Sequence, residues 1–251
     1  MKDMITHTSP NGSFSWRRDA FDSQILSMPV AKIIDFEASP NNQKNLVSEL
    51  TTSFQKHAIN YAVYRFPANN FTTTHALEEN HWLLVDGSIH LDLKLTRQSF
   101  DIPANIRLAT SEDVPQLQTI ARISFTFNRY YNDPLISKTA ANEIYVQWIK
   151  NSINNHFADA VFVYCEDEKL YGFATLKKDG DIVLVAVDPQ QQGRSIGRYL
   201  VAAAIKQCIQ WNLSTTTIET QLTNIPALRS FQSTGFKIKE TLLTYRWSVE
   251  S

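Results

Sequence analysis

Apolar residues along this chain follow two rhythms. Short runs rich in Val, Ile, Phe, Tyr and Ala occupy 60–66, 82–95, 160–165, 170–176, 181–187, 215–222 and 237–247. Turn residues bound them, among them the charged turn Glu166 to Lys169, so they read as strands. Over 41–57 and 195–212 the apolar positions recur at helical spacing and predict helices. Near 105 another unit opens: the strand Asn105-Ile-Arg-Leu108, a cap at Ser111, then a helix. Strands alternating with helices predict an α/β (α+β) chain.

One junction carries chemistry. The strand ending at Val187 runs through Asp188-Pro-Gln-Gln-Gln-Gly193-Arg-Ser-Ile-Gly197 into an apolar helix. Free N–H groups at a helix start, with about half a positive charge from the helix dipole, form an anion cradle suited to phosphate. Arg198 stands where a Walker loop needs Lys, and Gly193 and Gly197 do not make a Gly-x-Gly-x-x-Gly fingerprint. An ordinary strand-to-helix turn is the alternative reading. About thirty residues on comes Asn224-Ile-Pro-Ala227-Leu-Arg-Ser-Phe231-Gln-Ser-Thr-Gly235-Phe236. Here Asn224 caps a helix, Pro226 sits just inside it, Ala227 and Phe231 share a face, and Gly235 ends it.

These two motifs, in this order, resemble the GNAT N-acetyltransferases. Their coenzyme loop, Gln/Arg-x-x-Gly-x-Gly/Ala, reads here Gln192-Gly193-Arg194-Ser195-Ile196-Gly197, with Ser195 in place of the middle Gly. Their closing Asn-x-x-Ala-x-x-x-Tyr-x-x-x-Gly-Phe reads with Phe231 in place of Tyr. The resemblance covers residues 105–249 and implies a mixed twisted sheet flanked by helices, with acetyl-CoA as co-substrate. It implies that Gln192, Gly193, Arg194, Ser195, Ile196 and Gly197 hold the pyrophosphate. It places Val185, Ala186, Val187, Asn224, Ala227 and Phe231 along the coenzyme's arm, with a backbone N–H along Val185 to Val187 as oxyanion donor. Phe231 cannot donate a proton to the leaving thiolate; Tyr130, Tyr131, Ser195 or water remain as sources. A thiol of pKa about 8.5 also leaves tolerably as the thiolate.

The first 100 residues form a smaller α/β domain ahead of the GNAT domain at 105–251. The segment Ala76 to Leu95 resembles the chain's own end: an aromatic at Trp82 or Phe236, an acid at Asp86 or Glu240, then a strand. A degenerate GNAT half and a chance likeness of helix–strand units are both open. Trp16-Arg-Arg-Asp-Ala-Phe21, Phe125 to Pro134 and the Tyr145-Val-Gln-Trp148-Ile-Lys-Asn151 helix are similar to the branch of the family that acetylates dTDP-linked amino sugars for surface polysaccharide. That likeness implies an amino-sugar nucleotide as acceptor, Asp86 as catalytic base, and Arg129, Tyr130, Tyr131, Tyr145 and Trp148 as its contacts. Aromatic faces stack on a sugar or base, and Arg grips phosphate. Equally, Tyr145, Trp148 and Ile149 read as plain core, and Arg129 with Asp133 as a surface ion pair.

Composition narrows this further. A length of 251 residues suits two domains, and a 43% hydrophobic share supports real cores. The net charge of −1 offers no general attraction to nucleic acid or acidic membranes. Two cysteines, Cys165 and Cys208, and six scattered histidines give neither a disulfide framework nor a metal spacing. No run approaches the length of a membrane span, and the opening residues do not read as a signal peptide. The expectation is a cytoplasmic enzyme without metal, with a homodimer as a family trait. Two classes stay open: an acetyltransferase on an amino-sugar nucleotide or another amine (protein N-terminus, polyamine, antibiotic), or a non-catalytic acetyl-CoA-binding protein.

Overall fold

The structure is a computed structural model, and it describes residues 4–96, 100–154 and 157–249. The first three residues, part of the opening read for a signal peptide, lie outside these. The chain folds into two compact units. One holds Met1–Gly87, Asn132–Ile136 and Thr241–Ser251; the other holds Ser88–Tyr131 and Ser137–Glu240.

In chain order the elements of the N-terminal half are β1 (Met4–Ser9), β2 (Gly12–Arg18), α1 (Ala20–Leu26), β3 (Val30–Glu37), α2 (Gln43–Lys56), β4 (Tyr61–Pro67), α3 (Phe71–Glu79) and β5 (Leu83–Lys94). Then follow β6 (Ile106–Leu108), α4 (Val114–Ser124), α5 (Arg129–Asn132) and α6 (Lys138–Asn154). The rest are β7 (Ala160–Glu166), β8 (Lys169–Leu176), β9 (Asp181–Val187), α7 (Ile196–Gln210), β10 (Thr215–Gln221), α8 (Ile225–Ser233) and β11 (Lys237–Ser248). The strands and helices expected from periodicity are all present, with ends shifted by a residue or two. One cap differs. Thr110, not Ser111, caps the unit before α4, because Asp113 reaches back to the Thr110 N–H at 2.7 Å while the Thr110 hydroxyl donates to the same carboxylate.

Each unit contains a mixed sheet. In the first, β1, β2 and β3 run antiparallel, β3 pairs parallel with β4, and β4 pairs antiparallel with β11. Its core gathers Phe14, Trp16, Leu46, Leu50, Phe54, Leu77 and Trp247. In the second, β5 pairs antiparallel with β10, β10 parallel with β9, and β9, β8, β7 and β6 continue antiparallel. Helix α7 drives Leu200, Val201, Ala204, Ile205 and Cys208 onto that sheet beside Leu91, Ile182 and Ile218. The Leu, Val and Ile side chains among these contribute about 1.5–3 kcal/mol each by burial, which holds α7 against the sheet. Cys165 and Cys208 are both free, and burial pushes the Cys208 thiol up.

The element order repeats. The run β3–α2–β4–α3–β5 has 8, 14, 7, 9 and 12 residues; β9–α7–β10–α8–β11 has 7, 15, 7, 9 and 12. Asn70 caps α3 through the Thr73 N–H as Asn224 caps α8 through the Ala227 N–H. His81, at φ +62°, holds the place that Gly235 holds at φ +104°. The last strands are exchanged: β5, closing the first run, pairs with β10, while β11, closing the second, pairs with β4.

Candidate active site

The site is built where β9 parts from β10. The two strands pair only at Asp181↔Thr217 and Ile182↔Ile218, although on its other side β9 stays with β8 as far as Val187↔Gly172. The Leu184 N–H donates to the Thr175 hydroxyl at 3.0 Å and the Asp188 N–H to the Tyr171 carbonyl at 2.8 Å. By the two-residue period of a strand, the N–H groups of Val185 and Val187 face the opposite way, into the gap left by β10. Ala186 packs inward, 3% exposed. The Val187 carbonyl accepts from the Ser124 hydroxyl at 3.2 Å. A wedge with unpaired strand amides is a place for an oxyanion to be held by donors set in advance.

Above the wedge, Pro189–Gln191 make a 3₁₀ turn capped by the Asp188 carboxylate on the Gln190 N–H, and α7 starts at Ile196. Gly193 has φ +83°, and a Cβ there would meet nothing within 4 Å. A Cβ at Gly197 would meet only the Val187 side chain, at 3.6 Å. Ser195, where the motif has Gly, takes the left-handed conformation at φ +61° and makes no side-chain cap. The first amides of α7 therefore keep their hydrogens for a ligand. Gln192, Gly193, Arg194 and Ser195 are exposed, and Ile196 turns into the core. This loop follows the open end of β9 directly in the chain.

The Arg194 side chain is engaged beside the loop. Its guanidinium donates to the Glu166 carboxylate at 2.7 and 3.0 Å and to the Gln191 side chain at 2.6 Å. Glu166 also accepts from the Tyr164 hydroxyl at 2.8 Å. The Arg194 hydrogen bond holds the Glu166 carboxyl below the usual range, and Glu166 in turn pushes the Tyr164 phenol up. In this arrangement Arg194 offers the cradle its backbone, and its side chain braces the β7–β8 turn.

Helix α8 behaves as its motif predicts. Asn224 caps it, Ala227 is half-buried against the core, and Phe231 lies buried with its ring 6.3 Å from Phe236. The aromatic set also comes together. Tyr145 stacks on Phe125 at 4.3 Å and on Trp148 at 6.0 Å, and Tyr130 meets Tyr145 edge-on at 6.2 Å. Tyr145 and Ile149 are buried, so the core reading holds for them, while Trp148 is half-exposed; Tyr130 is buried as well. The Tyr130 hydroxyl accepts from Arg129, whose guanidinium lies 4.0 Å over its ring, and the Tyr131 hydroxyl donates to Asn142. Both phenols are thus engaged.

Asp133 does not stand at the surface, where the expected Arg129–Asp133 surface pair requires it. Asp133 is 2% exposed; it accepts from the Tyr61 hydroxyl at 2.8 Å and faces the Arg246 Nε at 3.4 Å. A buried carboxylate needs such partners, and Asp133 finds them in the N-terminal unit. Asp86, 6% exposed on β5, also belongs to that unit. On the strand it shares a face with Ser88, His90 and Asp92, and these polar neighbours escaped the sequence reading. The alternation Asp86-Gly-Ser88-Ile-His90-Leu-Asp92-Leu was the signal that marks them. Ser124 and Glu166 were missed as well, and no local pattern announces them.

Among the described residues no cluster of three or more His, Cys, Asp or Glu could hold a metal ion, and no helix is long and apolar enough to cross a membrane. Residues 124–236 match the acetyltransferase (GNAT) family. The chain carries a GNAT acetyltransferase domain and is an enzyme of that class. It is 28% identical, over 93% of its length and 83% of the relative's, to the spore coat polysaccharide biosynthesis protein SpsD of Bacillus subtilis (strain 168). It is 24% identical, over 70% of its length and 77% of the relative's, to the dTDP-fucosamine acetyltransferase of Escherichia coli O6:H1. A GCN5-related N-acetyltransferase from Sphaerobacter thermophilus shares the fold, with a TM-score of 0.66 and 11% identity over 94% of this chain and 77% of that one. The family uses acetyl-CoA as co-substrate.

Proposed function

We propose that the protein transfers an acetyl group from acetyl-CoA to the amine of a dTDP-linked amino-dideoxy sugar used for surface polysaccharide. The observation that carries the coenzyme half is the β9–β10 wedge under an uncapped α7. Amides 193–197 receive the pyrophosphate, and Asn224, Ala227 and Phe231 flank the arm. Val185, Ala186 and Val187 run beside the thioester, with the Val187 N–H on the oxyanion. The acceptor half rests on the relatives' names and on the Phe125–Tyr145–Trp148 stack with Arg129, Tyr130 and Tyr131 beside it. Asp86 is the sequence's choice of base, and Ser195 or water protonates the leaving thiolate.

The N-terminal run β3–α2–β4–α3–β5 reads as a degenerate half without a coenzyme slot. Its two helices are tied together at the place where the arm would pass. Thr73 donates to the Gln43 side chain at 2.8 Å, Asn80 to the Lys44 carbonyl at 3.3 Å, and Lys44 pairs with Glu79 at 3.1 Å. Among the described residues no hydrogen bond or ion pair joins α7 to α8.

The test is coenzyme A release from acetyl-CoA with dTDP-4-amino-4,6-dideoxyhexoses against simple amines and polyamines. Selective turnover of the sugar nucleotides supports the reading, and turnover of simple amines alone contradicts it. Phe231, where the motif has Tyr, predicts a slow or differently assisted transfer: Phe231→Tyr is expected to raise turnover, and an unchanged turnover and pH profile would mean that the missing acid is not limiting.

A further inference from the structure

The face of the C-terminal sheet opposite α7 carries a row of polar side chains that the coenzyme does not explain. Ile218, where the β9 pairing ends, packs toward α7 with Leu91, its partner on β5. The alternate residues turn to the other face: Glu219 and Gln221 on β10, opposite His90 and Ser88 on β5. Glu219 and Gln221 follow Ile218 directly, so they edge the wedge where the thioester lies under the proposed function.

Three observations mark this row as more than a solvated sheet face. The His90 Nδ1 lies 3.3 Å from the Glu240 carboxylate on β11. His90 stands directly across from Glu219 in the β5–β10 register, so the two side chains rise on the same face. Next to it on the same strand face, the Ser88 hydroxyl is 1% exposed and has no hydrogen-bond partner among the described residues. A buried hydroxyl left unpaired costs about 1–3 kcal/mol, and an acceptor's polar group or a water would satisfy it. The His90 and Glu240 side chains are 27% and 38% exposed, open enough to meet a substrate.

We infer that His90, held by Glu240 and facing Glu219, is the base that takes the proton from the acceptor's ammonium. The inference rests on the proposed function only in requiring that the chain acetylate some amine. An alkylammonium resembles a Lys side chain, with a pKa near 10.4, and a carboxylate near 4 is a weak base for it. An imidazole near 6.5 is better matched to neutral pH. With Nδ1–H donating to Glu240, the Nε2 lone pair is free to accept, directly or through one water. One ammonium proton passes to Nε2 and on to solvent. The amine nitrogen then bonds to the thioester carbon, the C–S bond breaks, and the second proton released from nitrogen ends on the coenzyme sulfur. Ser88 and Gln221 would position the acceptor.

The charged groups around His90 are Glu240 from β11, Glu219 from β10, Asp181 from β9, and Asp92 and Lys94 on its own strand face. Most are acidic, which favours the approach of a cationic ammonium group to this face.

The experiment measures kcat and kcat/KM against pH for wild type, His90→Gln, Glu240→Gln and Asp86→Asn, with acetyl-CoA affinity measured in parallel as a check on folding. Expected are a fall in kcat of about 10²-fold or more and loss of the acidic limb in His90→Gln, with unchanged acetyl-CoA affinity. Glu240→Gln, which loosens the hold on the His90 Nδ1, should lower kcat while keeping the limb. A His90→Gln enzyme with wild-type kcat and limb overturns the inference, as does loss of the limb in Asp86→Asn alone. If sugar nucleotides fail but another amine is acetylated, the acceptor reading falls and the same profiles on that amine decide His90. If no amine is acetylated, both fall.

Discussion

Ser195 shows how a single departure from a motif reads in physical terms. A left-handed residue other than Gly costs roughly 1–2 kcal/mol, and Ser195 holds φ +61° without a compensating cap. Glycine returns about 0.5–1 kcal/mol of that through its looser unfolded chain. Ser195→Gly is therefore expected to raise stability by about 0.5 kcal/mol in urea denaturation and to leave acetyl-CoA affinity intact. A loss of affinity would instead mean that the hydroxyl is a ligand. Asp113 makes a different case. The Arg107 guanidinium, at 2.7 and 2.8 Å, holds its carboxyl below the ordinary range. A depressed carboxyl adds stability above its unfolded pKa of about 3.9 and loses it as pH falls through the folded value. Asp113→Asn should thus lower stability at neutral pH and flatten its decline below about pH 4, as read by thermal melts across pH.

At the scale of elements, the strands and helices of the C-terminal half were legible because periodicity and caps agree there. Asp181–Val187 ends where Pro189 forbids a continued ladder, and Asn224, Pro226 and Gly235 bracket α8 on both sides. What sequence could not show was which strand stands beside which. The exchange of β5 and β11 depends on pairings more than a hundred residues apart, and no local pattern records it. For the same reason His90 went unseen, since its partner Glu240 and its cross-strand neighbour Glu219 arrive from distant strands. Asp133 was misread because Tyr61 and Arg246 are equally remote. Its buried pairing makes a firm prediction. Asp133→Ala removes the buried acceptor of the Tyr61 hydroxyl and the carboxylate beside Arg246, and the loss should be about 3 kcal/mol or more in chemical denaturation. A change under 1 kcal/mol would show that water reaches the pair.

The whole molecule is two like runs of elements with unlike slots. In the N-terminal run Gln43, Thr73, Lys44, Glu79 and Asn80 stitch the two helices together, and under the proposed function Ala227 leaves room for the arm in the C-terminal run. Titration calorimetry should therefore give one acetyl-CoA per chain, and a stoichiometry of two would contradict the degenerate half.

The central claim, that acetyl-CoA sits on the start of α7, has a direct test in Gly197→Asp. A Cβ there meets only Val187 at ordinary contact distance, and an acidic residue in the first turn of a helix is favourable for folding. The same charge would stand against the coenzyme's pyrophosphate. Calorimetric binding of acetyl-CoA by this variant is expected to weaken at least about 100-fold, roughly 2.7 kcal/mol, with no fall in melting temperature. Wild-type affinity in a folded Gly197→Asp protein would contradict the account.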